Sequence, residues 1–326
     1  FWRRRLFYAV RYRLEVMGED ASSCRLIFGD ADQFPGLTVD RFGKLLVAEV
    51  QSLGIDCIKD LLFPLLVEVL EELSIRIDGL YERSQGPLRE KEGLSERAGF
   101  YPLPGLPLPD SAMIIILENG VRYLVDVAKG QKTGFFLDQK YNRLAVSRLA
   151  QGKKVLDCFS HTGSFAICCA LAGAVSVHCI DASRKALACA EENAALNGVT
   201  NRLTFERADA LKWLPEQVKD RRKYDIVILD PPAFAKSRKE RANAARAYRD
   251  INRWGMQLLN RGGYLATASC SHHMPREAFM DAIACAARDA GVRLRQVEER
   301  SQAPDHPVLW GVPETAYLKF FIFQVV

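Results

Sequence analysis

From Lys154 onward the chain alternates short apolar runs with longer helical ones, and that alternation leaves few folds open to it. Residues 154–158, 176–180, 203–207, 225–229 and 263–269 read as strands, with helices predicted at 165–172, 184–197, 241–259 and 276–290. Strands joined through helices pair in parallel, because the crossover returns the chain in the same direction. The expected fold class is therefore α/β, a doubly wound sheet. Residues 317–325 are apolar enough to close the sheet as a late strand, for which an antiparallel sense is open. Ligands of such sheets gather at the carboxyl ends of the strands. Three segments end there: 155–163 (Val-Leu-Asp-Cys-Phe-Ser-His-Thr-Gly), 227–234 (Val-Ile-Leu-Asp-Pro-Pro-Ala-Phe) and 268–271 (Ala-Ser-Cys-Ser).

The N-terminal part has a different texture. Residues 1–17 read as a basic helix ending at Gly18, either a connecting helix with a solvated arginine face or an RNA contact. Residues 25–78 look like a small α+β unit: two strands over 37–50 around Arg41-Phe42-Gly43-Lys44, then helical spacing over 55–73 interrupted by Pro64. Strand character returns at 75–83. Four prolines in the nine residues 101–109 exclude a helix or a central strand and mark the expected domain boundary. Glu118-Asn119-Gly120 between apolar runs predicts a hairpin, followed by a loop over 129–139 and a helix over 141–150. The expected domains are a basic connecting helix (1–20), a small central α+β domain (21–110) and the α/β domain (111–326).

At 326 residues, two domains are expected rather than one core. A net charge of +5 permits a nucleic-acid partner without requiring one. No apolar run approaches the roughly 18 residues of a membrane span, and no secretory leader is recognisable. Nine cysteines occur without a C-x-x-C pair, so a disulfide framework and a zinc site are both poor readings. Reduced thiols in a cytoplasmic protein fit better, and no metal is expected. Residue 1 is Phe, so the chain is expected to begin inside a longer product.

A dinucleotide site would need G-x-G-x-x-G after the first strand, and only Gly163 stands there. The turn suits a nucleoside without phosphates. Asp157 can face the cationic amino-acid portion of S-adenosylmethionine, Asp181 the ribose hydroxyls and Asp209 the adenine amino group. Each could also be an ordinary helix cap. The prolines of Asp230-Pro231-Pro232 remove two amide donors and leave rigid carbonyl acceptors, Asp230 can bond a base edge, and Phe234 can stack on a flipped base. Cys270 selects the chemistry. Carbon 5 of a pyrimidine is a poor nucleophile until a thiolate adds to carbon 6. A core cysteine is the alternative reading. His272-His273 is a weak metal signal, better read as a solvated pair. Lys236, Arg238 and Arg249 form a basic lip suited to phosphates or a solvated helix start.

These residues resemble a known family, the RlmI-type cytosine-5 methyltransferases of large-subunit ribosomal RNA. The likeness spans 28–43, 130–139 (Gly-Gln-Lys-Thr-Gly-Phe-Phe-Leu-Asp-Gln), 157–163, Asp230-Pro231-Pro232, Ser269-Cys270-Ser271 and 305–319. The resemblance implies an N-terminal PUA domain, absent from these residues, a central strand–helix–strand domain and a Rossmann-like methyltransferase domain. It implies S-adenosylmethionine as cofactor, held by Lys132, Phe136 and Asp138 of the 130s loop and by Asp157, Phe159, Ser160, Thr162, Gly163 and Ser164. Asp181 with Ala182, Asp209 with Ala210, and Asp230 with Pro231 complete that set. Cys270 and Asp230 are then catalytic, Pro232, Phe234, Lys236, Arg238 and Arg249 face the substrate, and 23S rRNA is the partner. Members often carry Gln-Arg where this chain has Gln139-Lys140, and some carry Lys at Ala233. Methylation of a guanine exocyclic amine, a catalytically silent RNA-binding role, and pairing of two chains into a homodimer stay open at this point.

Overall fold

The computed structural model describes residues 1–235 and 237–326, with the Arg238 side chain outside the description. The chain forms two compact units, Phe1–Lys140 with Ala303–Thr315, and Tyr141–Gln302 with Ala316–Val326.

The first unit opens with α1 (Trp2–Met17), which buries Leu6, Ala9, Val10, Arg13 and Met17 at helical spacing. Arg3, Arg4 and Arg11 form the solvated face expected for it, but Arg13 is fully buried. Strands β1 (Ser23–Phe28), β2 (Leu37–Phe42) and β3 (Leu45–Val50) form an antiparallel meander. Helix α2 (Leu53–Glu72) crosses over to β4 (Gly79–Ser84), which is parallel to β3. This is the strand–helix–strand piece that the resemblance implied. The expected interruption at Pro64 is not there, and α2 runs through it. Its buried face (Ile55, Leu62, Phe63, Leu66, Val67, Leu70) holds the helix together against one missing hydrogen bond. After the short α3 (Pro87–Lys91), β5 (Arg97–Tyr101) closes the sheet in the order β1-β2-β3-β4-β5. The predicted hairpin follows as β6 (Met113–Glu118) and β7 (Val121–Asp126), turning on Asn119 (φ 50°) and Gly120 (φ 78°).

The units divide at Lys140, whereas the sequence suggested a boundary near 110. Hydrogen bonds explain the difference. Asn119 N donates to Asp20 Oδ1 (3.0 Å), Lys140 Nζ to Ser23 O (2.6 Å), and Thr133 Oγ1 to Asp40, so the hairpin and the 130s loop belong to the first unit. Asp305 brings 303–315 there as well, accepting from Arg25 N at 2.9 Å.

The second unit begins in α4 (Lys140–Ser147). It continues as β8 (Lys154–Cys158), α5 (Ser164–Leu171), β9 (Ser176–Asp181), α6 (Arg184–Leu196) and β10 (Leu203–Arg207). Then come α7 (Ala210–Lys219), β11 (Tyr224–Leu229), α8 (Arg241–Gln257), β12 (Leu259–Ser269), α9 (Arg276–Ala290), β13 (Leu294–Arg300) and β14 (Lys319–Val325). The sheet order is β10-β9-β8-β11-β12-β14-β13, parallel from β10 to β12, with β14 antiparallel to both its neighbours. The α/β doubly wound class is as expected. Strand order reverses between β8 and β11, which opens the ligand crevice at their carboxyl ends. Strand β13 was not legible. It is a largely exposed edge of Leu-Arg-Gln-Val-Glu-Glu-Arg with no apolar run to reveal it.

Candidate active site

The crevice is built on one turn. After β8 the chain passes through Phe159 (φ 62°), His161 (φ 50°) and Gly163 (φ 76°), three left-handed residues in five. Side chains tolerate that region poorly, so the turn needs fixing. A Cβ on Gly163 would also lie 3.0 Å from Ala190 Cβ. Backbone bonds hold it, from Ser160 N to Ile180 O (3.0 Å) and from Gly163 N to Ser160 O (2.8 Å).

Asp181 supplies the rest. Its Oδ2 accepts from His161 N (2.9 Å) and its Oδ1 from Ser183 N (2.8 Å), tying the end of β9 to the turn after β8. A carboxylate has about four lone-pair sites, so two remain for other donors such as ribose hydroxyls. Ala182, beside it, is exposed. Asp157 is fully buried beneath the turn and accepts from Ala166 N (3.1 Å). Burial first, then the neighbouring Asp230 and Asp181, push its carboxyl well above the ordinary value, against Arg143. Three carboxylates facing one another in a poorly solvated crevice are relieved by a cationic ligand. On the same turn Ser160 Oγ and Thr162 Oγ1 are buried and find no hydrogen-bond partner among the described residues. Groups of this kind are costly unless a ligand or water meets them. The donor set thus fits a cationic nucleoside, with Ser164 buried at the start of α5. Asp209 is exposed and caps α7 through Leu211 N (3.0 Å), next to the buried Ala210, so the cap alternative describes one of its oxygens.

Asp230 and Cys270 end neighbouring strands. Leu229 on β11 is in register with Thr267 on β12, so both chains run out at the same edge. Pro231 is buried and Pro232 exposed. Phe234 is half-buried, its ring against that of Tyr248 at 4.9 Å, at the margin of the core. Ser269 Oγ donates to the Tyr248 hydroxyl (2.9 Å) and Ser271 Oγ to Ala235 O (2.7 Å), so the serines flanking Cys270 anchor the strand end to α8 and to the loop after β11. Cys270 between them is half-buried. Burial pushes the Cys158, Cys169 and Cys179 thiols well up, as expected of core residues. None of the nine cysteines is in a disulfide.

The remaining predicted residues are distributed otherwise. Lys132, Phe136 and Asp138 stand in the first unit, where Lys132 Nζ lies 3.2 Å from Asp138 Oδ2 and 4.6 Å from the Phe136 ring centroid. Arg249 is held by Asp289 of α9 at 2.5 Å, so the expected phosphate contact competes with an ion pair. The roles expected of Lys236 and of the Arg238 side chain lie outside the described residues. Two residues were given no role from sequence. Tyr248 links the Cys270 strand to Phe234, and burial raises its hydroxyl pKa, with Cys270 and Asp230 adding to the rise. On helix α8 it reads simply as core. Lys319, the first residue of β14, was noticed only as part of a motif. Among the described residues no cluster of three metal-ligating side chains occurs, and no helix is long and apolar enough to cross a membrane.

Residues 103–324 match the family of S-adenosylmethionine-dependent methyltransferases. The chain is 40% identical over its whole length to ribosomal RNA large subunit methyltransferase I of Shewanella amazonensis, covering 80% of that protein. It is likewise 40% identical to the Escherichia coli protein of the same name, covering 81% of it. A SAM-dependent methyltransferase from Streptococcus mutans superimposes with a TM-score of 0.82 at 22% identity, over 99% of this chain and 81% of that one.

Proposed function

This chain belongs to the family of S-adenosylmethionine-dependent methyltransferases that includes ribosomal RNA large subunit methyltransferase I, and from that premise we propose that it methylates carbon 5 of a cytosine in 23S rRNA. The observation that supports this reading is Cys270, half-buried at the end of β12 and beside the end of β11 that carries Asp230.

The cofactor, when bound, supplies an electrophilic methyl on a sulfonium. Asp157 would face its cationic portion and Asp181 its ribose hydroxyls. The Cys270 thiolate adds to carbon 6 of the base, and the electron pair of the 5,6 double bond moves to carbon 5. Carbon 5 would then take the methyl group, the electron pair of the broken carbon–sulfur bond staying on the sulfur of the departing thioether. Loss of the carbon-5 proton then re-forms the double bond and expels the thiolate. Asp230 and the carbonyls around Pro231 and Pro232 orient the base edge. Localisation in the cytoplasm accords with an rRNA substrate and reduced thiols.

Chromatography of the labelled nucleoside from modified rRNA tests the product. 5-Methylcytidine is expected, and N2-methylguanosine would replace this chemistry with exocyclic-amine methylation. Cofactor binding has its own test. Asp181→Ala removes a charged hydrogen-bond acceptor worth about 1.5–3 kcal/mol and loosens the turn it ties. Titration calorimetry should show at least a roughly tenfold weaker affinity for S-adenosylhomocysteine. Unchanged affinity would remove Asp181 from the cofactor site.

A further inference from the structure

Lys319 pairs with Ser269 across β14 and β12, which brings its amine to the strand end that carries Cys270. Lys319 Nζ donates to Ser271 O and to Tyr317 O, each at 2.7 Å. The ammonium is half-buried and lacks a carboxylate partner among the described residues. Glu299, which lines a cavity of about 420 Å³ together with Lys319, is gripped by Arg276, with Nη2 to Oε2 at 2.6 Å. Two hydrogen bonds leave a third N–H on Lys319, and among the described residues the ionisable group that acts on it is the Cys270 thiol. A poorly solvated cation with no carboxylate is costly unless some other anion faces it.

We propose that Lys319 is the positioning residue whose ammonium holds Cys270 as a thiolate. The inference rests on the reading of Cys270 as the nucleophile. No bond forms between the two side chains: the thiol proton passes to solvent, the ammonium keeps its three protons, and the sulfur keeps the electron pair it offers to carbon 6. Among the described residues, neither Asp230 nor Tyr248 offers the thiol a positive charge. Asp230, at the end of β11, is an acid and would oppose ionisation. Tyr248 on α8 is held neutral by its raised pKa. His272 follows in the next turn, its ring 5.4 Å from that of Tyr317. Burial pulls Lys319 down to about 8, and Cys270 pulls it back up, so the charge is present at neutral pH.

The test is the pH dependence of iodoacetamide alkylation at Cys270, followed by peptide-resolved mass spectrometry on the full chain. Lys319→Gln keeps N–H donors for the two carbonyls and removes the charge. Its alkylation midpoint should lie about one pH unit higher than wild type, a tenfold loss of thiolate at neutral pH. Lys319→Arg should keep the wild-type midpoint. The exposed Cys57 serves as an internal control that should not move. Methyl transfer by Lys319→Gln should fall about tenfold at neutral pH and recover as pH rises. If the midpoint is the same in Lys319→Gln and wild type, Lys319 only ties two carbonyls and the proposal fails. The alkylation needs neither RNA nor cofactor. A shifted midpoint alongside an active Cys270→Ala variant would therefore sink the cytosine-5 reading and leave the charge pair standing.

Discussion

Cys270→Ala is expected to abolish methyl transfer, lowering turnover by roughly four orders of magnitude or more. The size of the effect follows from the chemistry: without addition at carbon 6, carbon 5 does not become nucleophilic. Affinity for S-adenosylhomocysteine is expected to stay at the wild-type value, since Asp157 and Asp181, the carboxylates proposed to hold the cofactor, sit at the ends of β8 and β9, across β11 from Cys270. RNA carrying 5-fluorocytosine at the target position should become covalently trapped on the wild type, because fluorine cannot leave as the proton does. The trapped band, read on a denaturing gel, disappears in Cys270→Ala. A variant that methylates at near the wild-type rate would reduce Cys270 to a packing residue and remove the cytosine-5 assignment with it.

Arg13→Met is expected to destabilise the first unit by about 3–5 kcal/mol, although Arg13 is one arginine among five on a basic helix. Its guanidinium is fully buried and bidentate to Asp32, with both bonds at 2.6 Å. It also donates to Arg25 O (2.9 Å) and Asp305 O (3.0 Å), crossing from α1 to β1 and to the returning 303–315 segment. Methionine fills the volume but leaves Asp32 as an uncompensated carboxylate in the interior. Thermal unfolding should show a drop of roughly 10 °C, whereas Arg11→Met, on the solvated face, should change little. A fall no larger than that of Arg11→Met would mean that Asp32 finds water in place of the guanidinium.

The same cluster predicts an acid response. Burial alone would raise Asp305, but the charges of His306 and Lys140, together with its hydrogen bonds from His306 and from Arg25 N, outweigh burial and bring it below the usual value of 3.8. A folded pKa below the unfolded one means the contribution is present above about pH 3.8 and is lost as pH falls through the folded value. Asp305→Asn should flatten the acid limb of stability against pH, measured by denaturant melts between about pH 5 and 2. An unchanged acid limb would place the acid sensitivity elsewhere.

What the sequence determined by itself is the periodic part. Alternating apolar strands and helices specified the parallel sheet, and the three segments ending in Gly163, Asp230 and Cys270 specified its functional edge, because strand ends and small-residue turns are local signals. Asn119-Gly120 specified a hairpin for the same reason, since both positions need a positive φ. Tertiary structure decided what local signals cannot express. Pro64 sits inside an unbroken helix because the buried face of α2 outweighs one lost hydrogen bond. Strand β13 exists because β14 offers it an edge, not because its own residues are apolar. Arg13 is buried and Arg249 paired because Asp32 and Asp289 meet them from 19 and 40 residues away. The same holds at the thiol. Cys270 could be read as a strand-end cysteine, but its setting between Tyr248 and Lys319 comes from a helix before it and an antiparallel strand 49 residues after it. Charge pairing acts through space, and only the folded chain brings those charges together.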